Sequence, residues 1–330
     1  MQYFCDFLGI TRLGQKNGQC PVYLIYISYF VFLLYYIFLT HSAVADNYGE
    51  SLIKRSVEMI GTLKTIECNL RMDVWVDNVE FSSRGRYEEQ VAKYSQSDDF
   101  FRSMYRLDIN FLTDQPLAPG SDPNRMTVVC HLSEDRQKSQ IWQYLSIEGK
   151  KELNIIRLPA LEDAVKRSRT EPKFKSVNEV RNLGGIAAML RQIDQFYEFT
   201  ASPRNGKQEG DGGDVWILTG VLRKEQYSRL LEQFGGLGKR KKLPEDFPSD
   251  IEIWIGQSDF FPYKIRYFNR PTEDSKKRTP LTQTSYYDVV LNGEEIDSGN
   301  FALFNENGEY PDGMINFKDD TEGFILTLGL

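Results

Sequence analysis

Histidine is nearly missing from this chain: 330 residues hold two, and beyond residue 45 only His131 is left. So little imidazole excludes most acid–base and zinc chemistry of the ordinary kind. His131 falls mid-strand beside Cys130, where a structural role is the simpler reading. Catalytic signatures are absent as well: there is no His-Glu-x-x-His, no Cys-x-x-Cys, no Gly-x-Ser-x-Gly, and no glycine loop followed by Lys-Ser or Lys-Thr. The neighbouring carboxylates Glu88-Glu89, Asp98-Asp99 and Asp319-Asp320 lie on polar stretches, where solvation accounts for them. Glu209 to Asp214 offers oxygen ligands of the calcium type but reads as a flexible Gly-rich linker. No enzymatic activity, metal or cofactor is expected.

A surplus of positive charge is also lacking. The formal net charge is −7 and the Lys and Arg residues are dispersed, which disfavours nucleic acid as a partner. Cysteine is sparse, so a disulfide-stapled framework is excluded. Cys68 and Cys130, both in apparent strands, either form one bridge, which an exported chain permits, or stay as two buried thiols.

Long apolar runs reduce to one. Val22 to Leu39 carries no charge, follows Arg12 and Lys16, and precedes Ala43-Val44-Ala45, the small-x-small pattern that signal peptidase cuts. Residues 1–45 therefore read as a signal peptide with a long leader or, if uncleaved, as an N-terminal anchor, because the run approaches the roughly 20 residues that span a bilayer. Cys20 precedes the run, the wrong side for a lipobox. In either case residues 46–330 are expected in the periplasm as one domain.

What is present is alternation. Ile251, Ile253 and Ile255 alternate with Glu252, Trp254 and Gly256, and Tyr263, Ile265 and Tyr267 with Lys264, Arg266 and Phe268, on either side of Gln257-Ser258-Asp259. A period of two across a short turn predicts a β-hairpin. Thr282 to Leu291 reads as a further strand. It ends at Asn292-Gly293, whose tolerance of positive φ predicts a tight turn back into Phe301-Ala302-Leu303-Phe304. Near the start, Ser51 to Leu63 is an amphipathic helix with Ile53, Val57 and Ile60 on one face, followed almost at once by a strand from Ile66 to Val76. More strands are predicted near Gly85 to Val91, over Met104 to Phe111, and as a hairpin of Thr127 to Leu132 with Gln140 to Leu145. Leu117 to Asn124 is a loop.

Then the period lengthens. Leu158-Pro159 opens a helix, Ser176-x-x-Glu179 is a capping box, and Leu183, Ile186, Leu190, Ile193 and Phe196 form the apolar stripe of a second helix. Pro203 to Gly213 reads as a polar loop, Asp214 to Leu222 as a strand, and Lys224 to Phe234 as a short helix. Phe324-Ile325-Leu326 would be a last strand. The class is α+β, built on one large antiparallel sheet.

Aromatic side chains mark that sheet. Trp75, Tyr105, Trp142, Tyr144, Trp216, Trp254, Tyr267 and Tyr287 lie on successive strands, and the Leu183 to Phe196 helix offers an apolar face to lay over them. The pattern fits an ordinary helix-on-sheet core, or an apolar cavity under a helical lid that binds an acyl chain by area.

Short motifs follow one another in a definite order: Phe101-Arg102-x-x-Tyr105-Arg106-Leu107-Asp108, the Val128 to Tyr144 hairpin, Ile251-Glu252-Ile253-Trp254-Ile255 through Phe261-Pro262-Tyr263-Lys264-Ile265, and Tyr286-Tyr287-Asp288-Val289 leading to Phe301-Ala302-Leu303-Phe304-x-x-x-Gly308. From Ser51 to Gly308 this order resembles the periplasmic lipoprotein carriers of the LolA type. The resemblance implies a curved antiparallel sheet forming an open half-barrel, an N-terminal helix, mid-chain lid helices and an apolar cavity for the acyl chains of lipoproteins or lipids. The chain departs from that pattern in three ways. Ser133-Glu134-Asp135-Arg136 replaces the family's Asp-Gly turn, three arginines (Arg86, Arg102 and Arg106) compete for the place of the one that ties the lid shut, and there is added length around Lys166 to Asn178 and Glu232 to Asp250. The implied function is that of a monomeric, exported carrier, with acyl chains and a membrane-bound loading or unloading protein as partners. The alternative is a membrane-anchored envelope sensor or interaction domain of the same fold.

Overall fold

The computed structural model describes residues 48–76, 79–93, 103–111, 124–147, 150–168, 185–200, 202–208, 212–228, 248–269, 278–302 and 317–327. The segment Val22 to Leu39, Arg102, the capping box at Ser176, Leu183, the Glu209 end of the glycine-rich run, and Leu303-Phe304 lie outside them. No helix among the described residues is long and apolar enough to cross a membrane.

Helix α1 (Tyr48–Thr62) leads into β1 (Thr65–Val76), β2 (Val79–Val91), β3 (Ser103–Phe111), β4 (Arg125–His131), β5 (Gln140–Ile147) and β6 (Lys150–Arg157). Helices α2 (Leu158–Ser168) and α3 (Gly185–Phe196) follow, then β7 (Tyr197–Phe199), β8 (Arg204–Lys207), β9 (Asp214–Leu222), β10 (Asp250–Gly256), β11 (Pro262–Phe268) and β12 (Pro280–Leu291). A short strand β13 (Phe317–Asp319) and helix α4 (Thr321–Thr327) end the described chain.

All thirteen strands among the described residues form one sheet in the order β13-β6-β5-β4-β3-β2-β1-β12-β11-β10-β9-β7, with β8 also paired to β9. Its ends do not meet, so the sheet is open. The fold is α+β and antiparallel, as the alternation predicts, and β13 alone runs parallel to its neighbour, β6.

Partners in register share a face of a pleated sheet. One row across the sheet reads Ile66, Glu89, Tyr105, Cys130, Ile141 and Ile156. This inner face continues through Leu70, Tyr286, Ile265, Ile253 and Leu218, and the helices cover it. α1 buries Leu52, Ile53 and Ile60, and α3 buries Ile186, Met189, Leu190 and Ile193. Each such side chain contributes about 1.5–3 kcal/mol on leaving water.

The outer face is polar over β1, β2, β11 and β12, where Asp73, Ser82, Gln283 and Arg266 lie in one row. Over β4 to β6 it turns apolar: Val129, Trp142 and Ile155 are register partners and all buried. There the 3-10 turn Ser298–Phe301 lies against β3 and β4, burying Phe301.

Several expectations need correction. Cys68 and Cys130 are free buried thiols. β2 and β3 separate their strands, three spacings of ~4.8 Å, whereas a disulfide needs Cα atoms within about 7 Å. Asn292 does take a positive φ of 53°, but among the described residues no strand returns from it, and Phe301 ends the 3-10 turn instead. The tail at Phe324 to Leu326 is helical. Lys150–Arg157 and Arg204–Lys207 are strands that charge and glycine hide from periodicity, the second inside the expected loop. The expected helix at Lys224 is present over residues 224–228.

Candidate functional site beneath helix α3

The inner face is covered by α1 and α3, and two polar anchors fix where α3 sits. The first is Glu89 on β2, only 6% exposed. Its Oε2 accepts a 2.7 Å bond from the Tyr87 hydroxyl and a 3.2 Å bond from the Ile186 N–H, in the first turn of α3. A carboxylate at a helix N-terminus answers both an orphan donor and the helix dipole. Gly185, at φ +73°, lets the chain turn there, and a Cβ on it would run into the Glu89 carboxyl. Burial pushes the Glu89 carboxyl above its usual range, opposed by the bonds from Tyr87, Ile186 and Ser103 and by the charge of Arg191.

The second anchor is Arg223, just past β9. Its backbone N–H donates to the Phe196 carbonyl at 2.9 Å, and its Nη2 reaches the Asp194 carbonyl at 3.2 Å and the Glu50 carboxylate of α1 at 2.9 Å. A cation is favourable at a helix C-terminus for the converse reason. So α3 is fastened at both ends and apolar between them.

Under the helix, Ile186, Leu190, Ile193 and Phe196 all point inward and are buried. Tyr105 lies on the same face, stacked on Tyr87 with ring centres 6.2 Å apart. The Tyr105 hydroxyl on this face and the Gln192 amide nitrogen on α3 are each buried without a hydrogen-bond partner among the described residues. Such groups are uncommon in a finished core and gain from a bound polar group.

Of the remaining aromatics read from the sequence, Tyr267 and Trp216 share this face. Tyr267 packs on Tyr197 at 6.1 Å between ring centres, and Trp216 packs on Phe260, against which α1 sits through Arg55. Trp75, Trp142, Tyr144, Trp254 and Tyr287 do not share it: register puts all five on the outer face. Trp142 there stacks on His131 at 5.4 Å, and burial lowers the His131 pKa against the hydrogen bond that its ring N–H donates to the Phe301 backbone carbonyl. The aromatics thus divide between two surfaces.

Neither Arg86 nor Arg106 holds the helix. Among the described residues, Arg86 pairs with Glu67 and Glu88, and Arg106 with Asp108 and the Asn300 carbonyl, all on the outer face. Glu88 and Glu89, expected to be solvated, are both buried. Sequence reasoning missed Glu89 and Arg223. The signal for Glu89 was its alternation with Gly85 and Tyr87, which sets it on the inner face. Arg223 left none.

No protein family model and no curated protein matches the chain. Among solved structures it is similar to a DUF1329 family protein from Desulfovibrio piger, at 12% identity over 79% of this chain and 98% of that one, with a TM-score of 0.33. A LolA superfamily protein from Nitrosomonas europaea is similar at 11% identity over 77% and 97%, with a TM-score of 0.26. The lipoprotein LppX of Mycobacterium tuberculosis is similar at 12% identity over 76% and 98%, with a TM-score of 0.32. Likeness of this size leaves the site to be read from the chain's own residues.

Proposed function

We propose that the chain is a non-enzymatic, exported carrier that buries acyl chains of lipids or lipoproteins between the inner face of the sheet and α3. Residues 1–45 serve as its signal peptide or anchor and residues 46–330 as the binding domain. One observation carries the reading: an apolar sheet face is covered by α1 and α3, and α3 is fastened at its two ends, by Glu89 and Arg223, with an apolar stripe in between. A helix held in this way opens by releasing a few polar contacts, after which Ile186, Leu190 and Ile193 and the strands beneath exchange one apolar partner for another. The burial of an acyl chain then offsets the cost of opening at about 0.8 kcal/mol per CH₂. The Tyr105 hydroxyl on the inner face would then have a polar group of the ligand to pair with.

Native mass spectrometry of the protein purified from an expressing envelope, followed by lipid extraction, tests the reading. Bound acyl species that exchange with an added fatty-acid probe are the expected result. A clean unliganded mass, unchanged by added lipid, would overturn it. The intact mass of the same sample reads whether residues 1–45 remain.

A further inference from the structure

The outer face of the sheet carries a second, chemically different feature, a cavity of ≈ 640 Å³ lined by both polar and aromatic side chains. That volume lies within the roughly 300–1,000 Å³ usual for small-molecule sites. Its floor is Lys264, Arg266, Gln283 and Ser285 of β11 and β12, flanked by Trp254 of β10 and by Arg71, Asp73 and Trp75 of β1. These residues face away from α3, so the cavity is independent of the proposed acyl site.

The floor is a built network. Asp73, 2% exposed, accepts from Arg71 Nε at 2.8 Å, Ser82 Oγ at 2.6 Å and Gln283 Nε2 at 3.3 Å. Gln283 in turn accepts from Arg266 Nε at 2.6 Å. Each member orients the next, so the guanidinium groups are held in place before any ligand arrives. The sign of the lining is informative in a chain of net charge −7: Arg71, Lys207, Lys264 and Arg266 stand against two carboxylates, Asp73 and Glu80. Both carboxylates engage Arg71, and Lys207 engages Asp214 at 2.8 Å. Arg266 is met instead by a neutral amide, Gln283.

The apolar part of the lining is aromatic. Trp254 has Lys264 Nζ 5.3 Å and Arg266 5.9 Å from its ring centre, and Trp75 and the 38%-exposed Tyr287 line the same space. Flat rings with an electron-rich face suit the C–H face of a sugar, while amide, hydroxyl, carboxylate and guanidinium groups suit its hydroxyls. We propose that this cavity binds an acidic saccharide, a sugar bearing a carboxylate or phosphate. Trp254 and Trp75 are its stacking walls, and Arg266 is the partner of the anion.

Tryptophan emission reports on the site directly, because Trp75 and Trp254 are two of the four tryptophans in the chain. The full chain is titrated with trigalacturonate, with maltotriose as the neutral counterpart, and with inorganic phosphate and adenosine monophosphate. A saturable change with trigalacturonate is expected, with maltotriose binding far more weakly. Arg266→Gln should weaken trigalacturonate at least about tenfold, the lower range for a hydrogen bond to a charged group. Trp254→Phe should weaken it too, with an unchanged circular dichroism spectrum showing that the variant is folded. Vesicles bearing a glucuronosyl lipid assign the source: competition with trigalacturonate points to a glycolipid head, and its absence to a free glycan. The proposal is overturned by no saturable change, by phosphate alone binding as well as the saccharide, by tighter binding of the nucleotide, or by an Arg266→Gln variant that binds as the parent does.

Discussion

Removing the side chain of Glu89 should unseat α3, and the size of the effect follows from its bonds. Glu89→Ala leaves two buried donors, the Tyr87 hydroxyl and the Ile186 N–H, without an acceptor, and releases the half-buried Ser103 hydroxyl to other partners. Each orphaned donor costs about 1–3 kcal/mol, so the loss is about 2–6 kcal/mol, less whatever relief comes from no longer burying a charge. Glu89→Gln separates the two contributions, since it keeps one oxygen for the donors and discards the charge. Burial raises the Glu89 pKa in the folded protein, against Tyr87, Ser103, the Ile186 N–H and Arg191, which lower it. The folded state therefore holds that proton more tightly than the unfolded chain, whose carboxyl titrates near 4.3. The stability gained from the protonated form is complete below that value and is lost as pH rises through the raised folded value. Urea unfolding followed by tryptophan emission, from about pH 4 to pH 8, gives both proteins' stabilities, and their difference cancels every other titrating group. Parent stability relative to Glu89→Gln should fall with rising pH across this window. Parallel curves would refute the reasoning, because they would mean that the carboxylate costs nothing to bury.

Three further outcomes are expected. Leu190 is fully buried on the stripe of α3, so Leu190→Ala should cost about 2–5 kcal/mol in urea unfolding and reduce the acyl species recovered by lipid extraction. Gly185→Ala forces a side chain into a positive φ and against the Glu89 carboxyl; it should cost about 1–3 kcal/mol and speed amide exchange in the first turn of α3. Burial pushes the thiols of Cys68 and Cys130 well up. Both should therefore resist alkylation in the folded protein and react only in urea, with reductant leaving the melting temperature unchanged.

The sheet was legible in the sequence because its inner face is apolar and its outer face charged. Ile251, Ile253 and Ile255 on β10 and Ile66, Cys68 and Leu70 on β1 announce the period without help from distant residues. Where both faces are mixed the signal fails. Lys150–Arg157 becomes a strand through its neighbours β5 and β13, and Phe324 becomes helical despite an apolar run any strand could own. The candidate site was half legible. The stripe of Ile186, Leu190 and Ile193 could be read by spacing, but which aromatics it covers depends on strand register, and register is a long-range property. That is why Trp142 and Trp254, plausible from position alone, fall on the opposite surface. Glu89 was hidden for another reason: a carboxylate beside another carboxylate reads as solvated until a helix end is known to lie on it.

The seam between β1 and β12 has a consequence in time. Asp73 and Gln283, joined across it, are 210 residues apart in the chain, while on its other side β1 starts a run, β1 to β6, in which each strand pairs with the next in sequence. At about 5–20 residues per second of synthesis, the free edge of β1 waits on the order of 10–40 s for its partner to emerge. A strand edge left open that long is a template for pairing with another molecule. The nascent N-terminal half is thus the stage at which this protein is most exposed to aggregation, and the stage at which a chaperone would do the most good.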